Sequence, residues 1–321
     1  MIIYIENNVK NLQSTKDIIK KFPKADILEI ENYKNIFDKN IWYNLDENIL
    51  ILAESPKNIM PKAPDWYWFN TKHAYFLKTS LNCLFDCKYC YLKWMFKNNF
   101  PVIFVDYDNM KEKINKKIKS IDSQEEIAMY ISNYSDLQAF DALSNFNKNF
   151  LNFFDKYPNL IVETRTKSSN INSLLELDNI PTNTEIAFSL NPQIIIDNFE
   201  YKTSSLEKRI EAINKLLTKW FKVWIRFLPL IPYWEWERIY EDFLIDIKNN
   251  INMKKINSIF VWWLLYTESD FKIMKNKFTN LNFEYEWWMY KINNKERHSI
   301  YDIFEKNLED INYCFENNCN L

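Results

Sequence analysis

Cys83, Cys87 and Cys90 fall in the run Asn-Cys-Leu-Phe-Asp-Cys-Lys-Tyr-Cys-Tyr at 82–91, a C-x3-C-x2-C spacing, and the rest of the chain adds only Cys314 and Cys319. Three thiolates on one short loop can reach one small object. A cubane [4Fe–4S] cluster takes four ligands, usually thiolates, so three from a single loop leave one iron open for chemistry. A structural zinc site asks instead for a fourth Cys or His at a matching spacing. His73 stands ten residues before Cys83, and Cys314 and Cys319 are distant in sequence. Three unrelated core cysteines are the remaining alternative.

Such a loop needs rigid elements to hold it. From His73 onward, apolar runs at 74–79, 127–132, 160–166, 185–189, 222–227 and 256–261 alternate with amphipathic stretches at 109–118, 143–154, 171–177, 206–219 and 237–247. Strand alternating with helix predicts a parallel sheet. Six repeats predict an α/β fold, a partial (β/α)6 TIM-like barrel, at 66–290. A small N-terminal α/β extension is expected at 1–65, with strand-like runs at 2–5, 27–30 and 49–52 and a helix near 15–21. A C-terminal tail at 291–321 reads as helical and then irregular. The helix from Leu206 is expected to open on a Ser204…Glu207 capping box.

Barrel chemistry gathers at the C-terminal ends of the strands. Cys83 follows the first strand and Asn133 to Asp136 the second. Arg165 to Lys167 end the third, Ser189 to Asn191 the fourth, and Arg226 with Pro229 the fifth. The polar clusters that interrupt apolar runs thus share one predicted rim.

Of 321 residues, 47% are hydrophobic and 26% charged, enough for a sizeable core. Net charge of −2 argues against a strongly basic nucleic-acid surface. The lysine-rich run at 111–119 reads as a solvated helix face. Five cysteines, three on one loop, suit a reducing compartment and a metal site. The opening residues lack a basic segment before a long apolar core, and no stretch approaches the roughly 18 apolar residues of a membrane span. The expected location is cytoplasmic.

Glycine is absent while tryptophan occurs 12 times. Average usage would give roughly 20 or more glycines. Trp220 follows a helical run at the position that commonly needs positive φ. Trp66 and Trp68 follow Pro64, and the doublets Trp262-Trp263 and Trp287-Trp288 resemble Gly-Gly turns. The expectation is that many of these are UGA codons written as Trp in a lineage that decodes UGA as glycine, with Trp236 genuine. Codon inspection decides it: UGG at Trp220, Trp262 and Trp263 would sink the idea. The rival is AT-rich codon bias, which explains abundant Asn, Lys and Ile but not the loss of every glycine.

The three-cysteine spacing is the signature of the radical S-adenosylmethionine (SAM) enzymes. The narrower run Cys-x3-Cys-x-Tyr-Cys-Tyr-Leu at 83–92 resembles the spore photoproduct lyase family. Ser-Asn-Tyr-Ser-Asp at 132–136 is similar to that family's Ser-Cys-Thr-Ser-Asp stretch. Glu-Thr-Arg-Thr-Lys at 163–167 resembles its third-strand lysine segment, and Phe-Ser-Leu-Asn at 188–191 its fourth-strand serine. Phe221 to Tyr240 resembles its long Arg-Phe-x-Pro-Ile-Ile-Pro-Tyr-x-x-Trp-Glu block. The resemblance spans roughly 65–316.

The resemblance implies a lyase of the DNA-repair type, with the radical SAM barrel as its fold. Cys83, Cys87 and Cys90 would ligate a [4Fe–4S] cluster whose open iron SAM chelates. Ser135, Lys167, Ser189 and Asn191 would hold SAM, and Tyr89 and Tyr91 would relay a hydrogen atom. A flavodoxin- or ferredoxin-type electron donor is expected, and a 5′-deoxyadenosyl radical would abstract hydrogen from the substrate. The structural alternatives are an exposed or salt-bridged Lys167 and packed tyrosines. One departure matters: the family's hydrogen-donating cysteine aligns with Asn133, and an amide N–H is far stronger than S–H. Three readings follow: an enzyme acting on a nucleic-acid or nucleotide lesion, a radical SAM enzyme acting on RNA, a peptide or a metabolite, and a non-catalytic iron–sulfur protein.

Overall fold

The computed structural model describes residues 1–38, 48–64, 67, 71–278, 280–308, 313–315 and 318–319. Two compact units emerge. One comprises 1–84, 92–166 and 170–185; the other comprises 85–91, 167–169 and 186–321.

In the first unit the predicted N-terminal strands pair in parallel, Ile2–Glu6 between Asp26–Ile30 and Ile49–Ala53, and Ile49–Ala53 also lies against Val102–Phe104. Ile49–Ala53 is buried along its whole length, as its unbroken apolar run requires of a central parallel strand. Ile3, Ile5, Leu50, Leu52 and Ile103 join Val9, Ile18, Val105 and Phe140 in one core cluster. His73–Leu77, Ile127–Ile131 and Leu160–Thr166 form a second parallel run. Thr184–Ser189 begins here, with Val162 donating its amide to the Asn183 carbonyl at 2.9 Å.

The predicted helix at 143–154 is two helices, Leu137–Ser144 and Phe146–Phe154. Asn145 breaks it, taking a left-handed conformation (φ 50°) that asparagine tolerates better than most residues. The predicted helix at 171–177 shortens to Asn172–Leu175. Helix Tyr107–Ile118 buries Met110, Ile114 and Ile118. Its lysines are more than a solvated face: Lys113 donates to the Ser55 carbonyl at 2.9 Å, and Lys117 lies 4.6 Å over the Tyr75 ring.

In the second unit Lys222–Leu230, Ser258–Trp263 and Tyr313–Phe315 run parallel, and Asn318–Cys319 pairs antiparallel with Tyr313–Phe315. The tail after helix Asn294–Leu308 is therefore partly strand, not irregular. Helix Leu206–Thr218 is capped by Ser205, one residue later than expected, because the Ser204 hydroxyl accepts the Ser169 amide at 2.8 Å. Among the described residues no helix is long and apolar enough to cross a membrane.

Tryptophan occupies glycine geometry at three exposed places. Trp220 has φ 67° and is 80% exposed. The amides of Trp220 and Phe221 donate to Leu217 and Leu216 at 3.2 and 3.1 Å, a Schellman motif with Trp at its left-handed position. Trp287 and Trp288 have φ 51° and 56° in the two-residue turn joining Phe283–Glu286 to Met289–Ile292, which demands positive φ twice. The doublet Trp262-Trp263 departs from expectation: both lie in strand Ser258–Trp263, and buried Trp263 donates to the Tyr301 hydroxyl at 2.8 Å. Trp66 and Trp68 lie outside the described residues.

Left-handed backbone costs a residue with a Cβ roughly 1–2 kcal/mol. Lys255, 5.3 Å over the exposed Trp220 ring, returns about 0.5 kcal/mol. Trp220→Gly is therefore expected to stabilise the chain by about 1 kcal/mol, read as a higher urea midpoint. A lower midpoint would show that the indole, not the backbone, governs this position.

Candidate functional site

The first unit supplies the entry to the cysteine loop and the turn after the second strand of the parallel run. Asn82 precedes Cys83 in left-handed conformation (φ 61°) and donates to the Asn98 and Phe100 carbonyls at 3.0 and 2.9 Å. That double tether fixes where the loop begins. Cys83 itself is partly buried. Beyond Ile127–Ile131 the chain turns at Ser132 (φ 79°), whose hydroxyl accepts the Leu137 amide at 3.2 Å. Asp136 caps helix Leu137–Ser144 by accepting the Ala139 amide at 3.1 Å, and it also accepts the Thr166 hydroxyl at 2.7 Å. Ser135 is buried and shares a hydrogen bond with Ser80. Asn133 accepts the Tyr67 phenol at 3.0 Å, and the Tyr67 ring packs edge-on against Tyr130.

The second unit carries the remaining cysteines and a dense polar cluster. Cys87 is buried and Cys90 partly buried, and the Cys90 amide donates to the Cys87 carbonyl at 3.2 Å. Between them Tyr89 turns inward, its phenol donating to Glu200 Oε1 at 2.5 Å. Burial first, then the charges of Glu200 and Cys87, hold that phenol protonated well above its ordinary range. Tyr91, by contrast, is 38% exposed. The Lys167 ammonium lies 5.7 Å over the Tyr89 ring.

Glu200 is fully buried and meets Arg209, also fully buried, at 2.7 Å. Burial alone would raise the Glu200 pKa. Arg209, Lys167 and the bonds from Tyr89 and Asn191 bring it below the ordinary carboxylate range instead. Asn191 donates to Glu200 at 2.9 Å and accepts the Tyr240 hydroxyl at 3.4 Å. Arg209 donates to the Ser189 carbonyl at 2.8 Å, while the Ser189 hydroxyl is buried with no hydrogen-bond partner. A buried hydroxyl in that state carries an uncompensated desolvation cost, and a bound polar ligand would satisfy it.

Of the residues named from sequence, the second unit brings Tyr89, Lys167, Ser189 and Asn191 into one neighbourhood with Cys87 and Cys90. Tyr91 stands apart at the surface. Sequence reasoning missed Glu200 and Arg209. Arg209 could have been found: it falls on the apolar stripe Leu206, Ile210, Ile213 and Leu217 of its helix, and a charge there must bring a buried partner.

A family model described as spore photoproduct lyase matches residues 68–311. The chain belongs to the spore photoproduct lyase family. The spore photoproduct lyase of Clostridium acetobutylicum is 27% identical over 195 residues, 60% of this chain and 57% of that one. The spore photoproduct lyase of Bacillus subtilis is 26% identical over 167 residues, 52% of this chain and 48% of that one. The chain thus spans about half the length of these curated relatives. A spore photoproduct lyase double mutant solved with AdoMet and dinucleoside spore photoproduct superposes with a TM-score of 0.82 at 16% identity, covering 98% of this chain and 97% of that one. Another, complexed with dinucleoside spore photoproduct, gives 0.81 at the same identity and coverage. At that similarity the fold is common to both: the α/β partial barrel predicted from the alternation of strands and helices.

The donor set fits the group that the family implies. Among the described residues no three His, Cys, Asp or Glu side chains form a set able to hold one metal ion. The fit rests on donor chemistry: a cubane cluster takes thiolates, and the loop at 83–90 carries three cysteines. The buried Ser189 hydroxyl, with no hydrogen-bond partner, is free to take one from a polar group.

Proposed function

We propose that this chain is a radical SAM enzyme of the spore photoproduct lyase kind, acting on a photolesion in DNA or in a nucleotide. The observation that carries the reading is the C-x3-C-x2-C loop at 83–90 inside the stretch matched by the family model. The solved relatives that hold AdoMet and dinucleoside spore photoproduct support this choice of cofactor and substrate.

In this reading Cys83, Cys87 and Cys90 hold a [4Fe–4S] cluster, which with SAM bound supplies a 5′-deoxyadenosyl radical on receipt of one electron. The electron donor is of flavodoxin or ferredoxin type. Ser189 offers its buried hydroxyl to SAM, Ser135 and Asn191 contribute polar contacts, and the Lys167 ammonium pairs with the SAM carboxylate. Tyr89 is held inward for hydrogen-atom return, with Tyr91 nearer the surface. The protein's part is orientation and exclusion of water, while the cofactors carry the difficult chemistry.

A second reading is favoured by one observation. Asn133 stands where the family stretch carries a cysteine; its Oδ1 accepts the Tyr67 phenol at 3.0 Å, and its amide N–H is a far stronger bond than the S–H it replaces. The same radical chemistry on RNA, a peptide or a metabolite fits that change.

The test is anaerobic reconstitution with iron and sulfide, then dithionite and SAM, assaying 5′-deoxyadenosine with and without dinucleoside spore photoproduct. No 5′-deoxyadenosine under any condition defeats both readings. Cleavage of SAM without repair leaves the second. Lys167→Ala is expected to weaken SAM binding roughly tenfold or more, the loss of a hydrogen bond to a charged group, while cluster absorbance is kept. Unchanged SAM affinity would remove Lys167 from the cofactor site.

A further inference from the structure

The Glu200–Arg209 pair grips the cysteine loop by two independent means. The two-residue strand Glu200–Tyr201 pairs antiparallel with Asp86–Cys87, setting Glu200 directly opposite Cys87. The Lys88 amide adds a bond to the Phe199 carbonyl at 2.8 Å. The Lys88 ammonium caps the Phe199 and Tyr201 rings at 5.5 and 5.0 Å. The Glu200 side chain then reaches the same loop again, accepting the Tyr89 phenol at 2.5 Å.

The other arms of this carboxylate lead to the end of strand Thr184–Ser189. Oε1 also accepts Asn191 at 2.9 Å, and Oε2 accepts Arg209 at 2.7 Å. Arg209 distributes its remaining donors over the Ser189 carbonyl at 2.8 Å, the Ser204 carbonyl at 2.9 Å and the Thr203 hydroxyl at 2.7 Å. One buried carboxylate thus joins Tyr89, on the loop between two cysteines, to Ser189 and Asn191. A buried ion pair is seldom the most stable filling for its volume, since apolar residues of similar size often do as well. What it adds is directional: each oxygen fixes particular donors at particular angles.

We propose that Glu200 is a positioning residue, whose carboxylate sets the place of the Tyr89 phenol and thereby the course of the Cys87–Cys90 stretch relative to Ser189 and Asn191. Its use in catalysis rests on the function proposed above; the grip itself is a property of the metal-free chain. Glutamine cannot replace it. An amide turned to satisfy Tyr89 presents its NH2 to the Arg209 guanidinium, and turned the other way it presents NH2 to the phenol.

The test compares wild type, Glu200→Gln, Tyr89→Phe and the double variant as metal-free full-length protein, by amide hydrogen exchange of the peptide covering 85–91. The expected result is at least tenfold faster exchange in each single variant. The double variant should be no faster than the faster single, and peptides covering 137–154 should be unchanged. Tyr89→Phe removes one hydroxyl only and carries the test if Glu200→Gln does not fold. Unchanged loop exchange in Tyr89→Phe overturns the proposal, as does exchange in Glu200→Gln that rises equally throughout the chain.

A second arm uses the reconstituted protein. Glu200→Gln is expected to keep cluster absorbance but to need at least tenfold more SAM for the SAM-induced change in the electron paramagnetic resonance spectrum. A SAM response equal to wild type overturns the positioning role. A wild-type chain that builds no cluster defeats the proposed function instead, and leaves the exchange result to decide the grip.

Discussion

Cys87→Ala should abolish iron–sulfur loading outright, with the visible absorbance of the reconstituted protein lost, and Cys83→Ala and Cys90→Ala should do the same. In the proposed function all three protein ligands come from one loop, so losing one would leave two thiolates for the cluster. Cys314→Ala, far outside the loop, should keep the absorbance, and its loss there would reassign the ligands. The Cys87 thiol also predicts how loading depends on pH. Burial pushes it up to about 12; Lys167 and Arg209 pull it down, while Glu200 and Cys90 push it further up. The metal-free chain therefore holds this sulfur protonated at neutrality, and iron bound there would have to displace the proton. Loading should weaken as pH falls and release protons into solution, measurable as a pH change in weakly buffered reconstitution. Loading independent of pH between 7 and 9 would mean that iron displaces no thiol proton, and would count against thiolate ligation by the loop as a whole.

Much of this site was legible because parallel strands buried on both faces read as unbroken apolar runs. Ile127–Ile131 is buried at every position, and Leu160–Thr166 coincides with its predicted span. The strand-end rule then picked out Ser189 and Lys167 before any contact was known. Tyr313–Phe315 was not legible, because three residues carry almost no periodicity and its partner Ser258–Trp263 lies far back in the chain. Asn145 hid inside an apolar pattern that continues on both sides of it; only its capacity for left-handed backbone marks the break. Trp262 and Trp263 misled in the opposite direction, since a doublet that suits a turn also suits a strand. The Glu200–Arg209 pair was half legible: the arginine in an apolar stripe announced a buried partner, but nothing local said which carboxylate would meet it.

Arg209→Met should cost about 3–5 kcal/mol, because it strands the Glu200 carboxylate in the interior. Arg209 and Glu200 are each fully buried, and the guanidinium donates to Glu200, Thr203 and the carbonyls of Ser189 and Ser204. Arg209→Lys should fall short of rescue, since a compact ammonium cannot reproduce a planar fork spread over four acceptors. The double variant Arg209→Met/Glu200→Leu should be more stable than Arg209→Met alone, because no charge is then left without its partner. The pH dependence changes sign between parent and variant. In the parent, the depressed Glu200 pKa means its stabilisation is fully present above the ordinary carboxylate range and is lost as pH falls through its own lower value. In Arg209→Met the chief lowering influence is gone and burial raises the pKa. The penalty should then be largest at neutrality and eased as acid protonates the buried carboxylate. Urea midpoints at pH 7 and pH 5 measure both, and a penalty under about 1 kcal/mol, or one that does not ease at pH 5, would mean that the pair is not the charged keystone its burial implies.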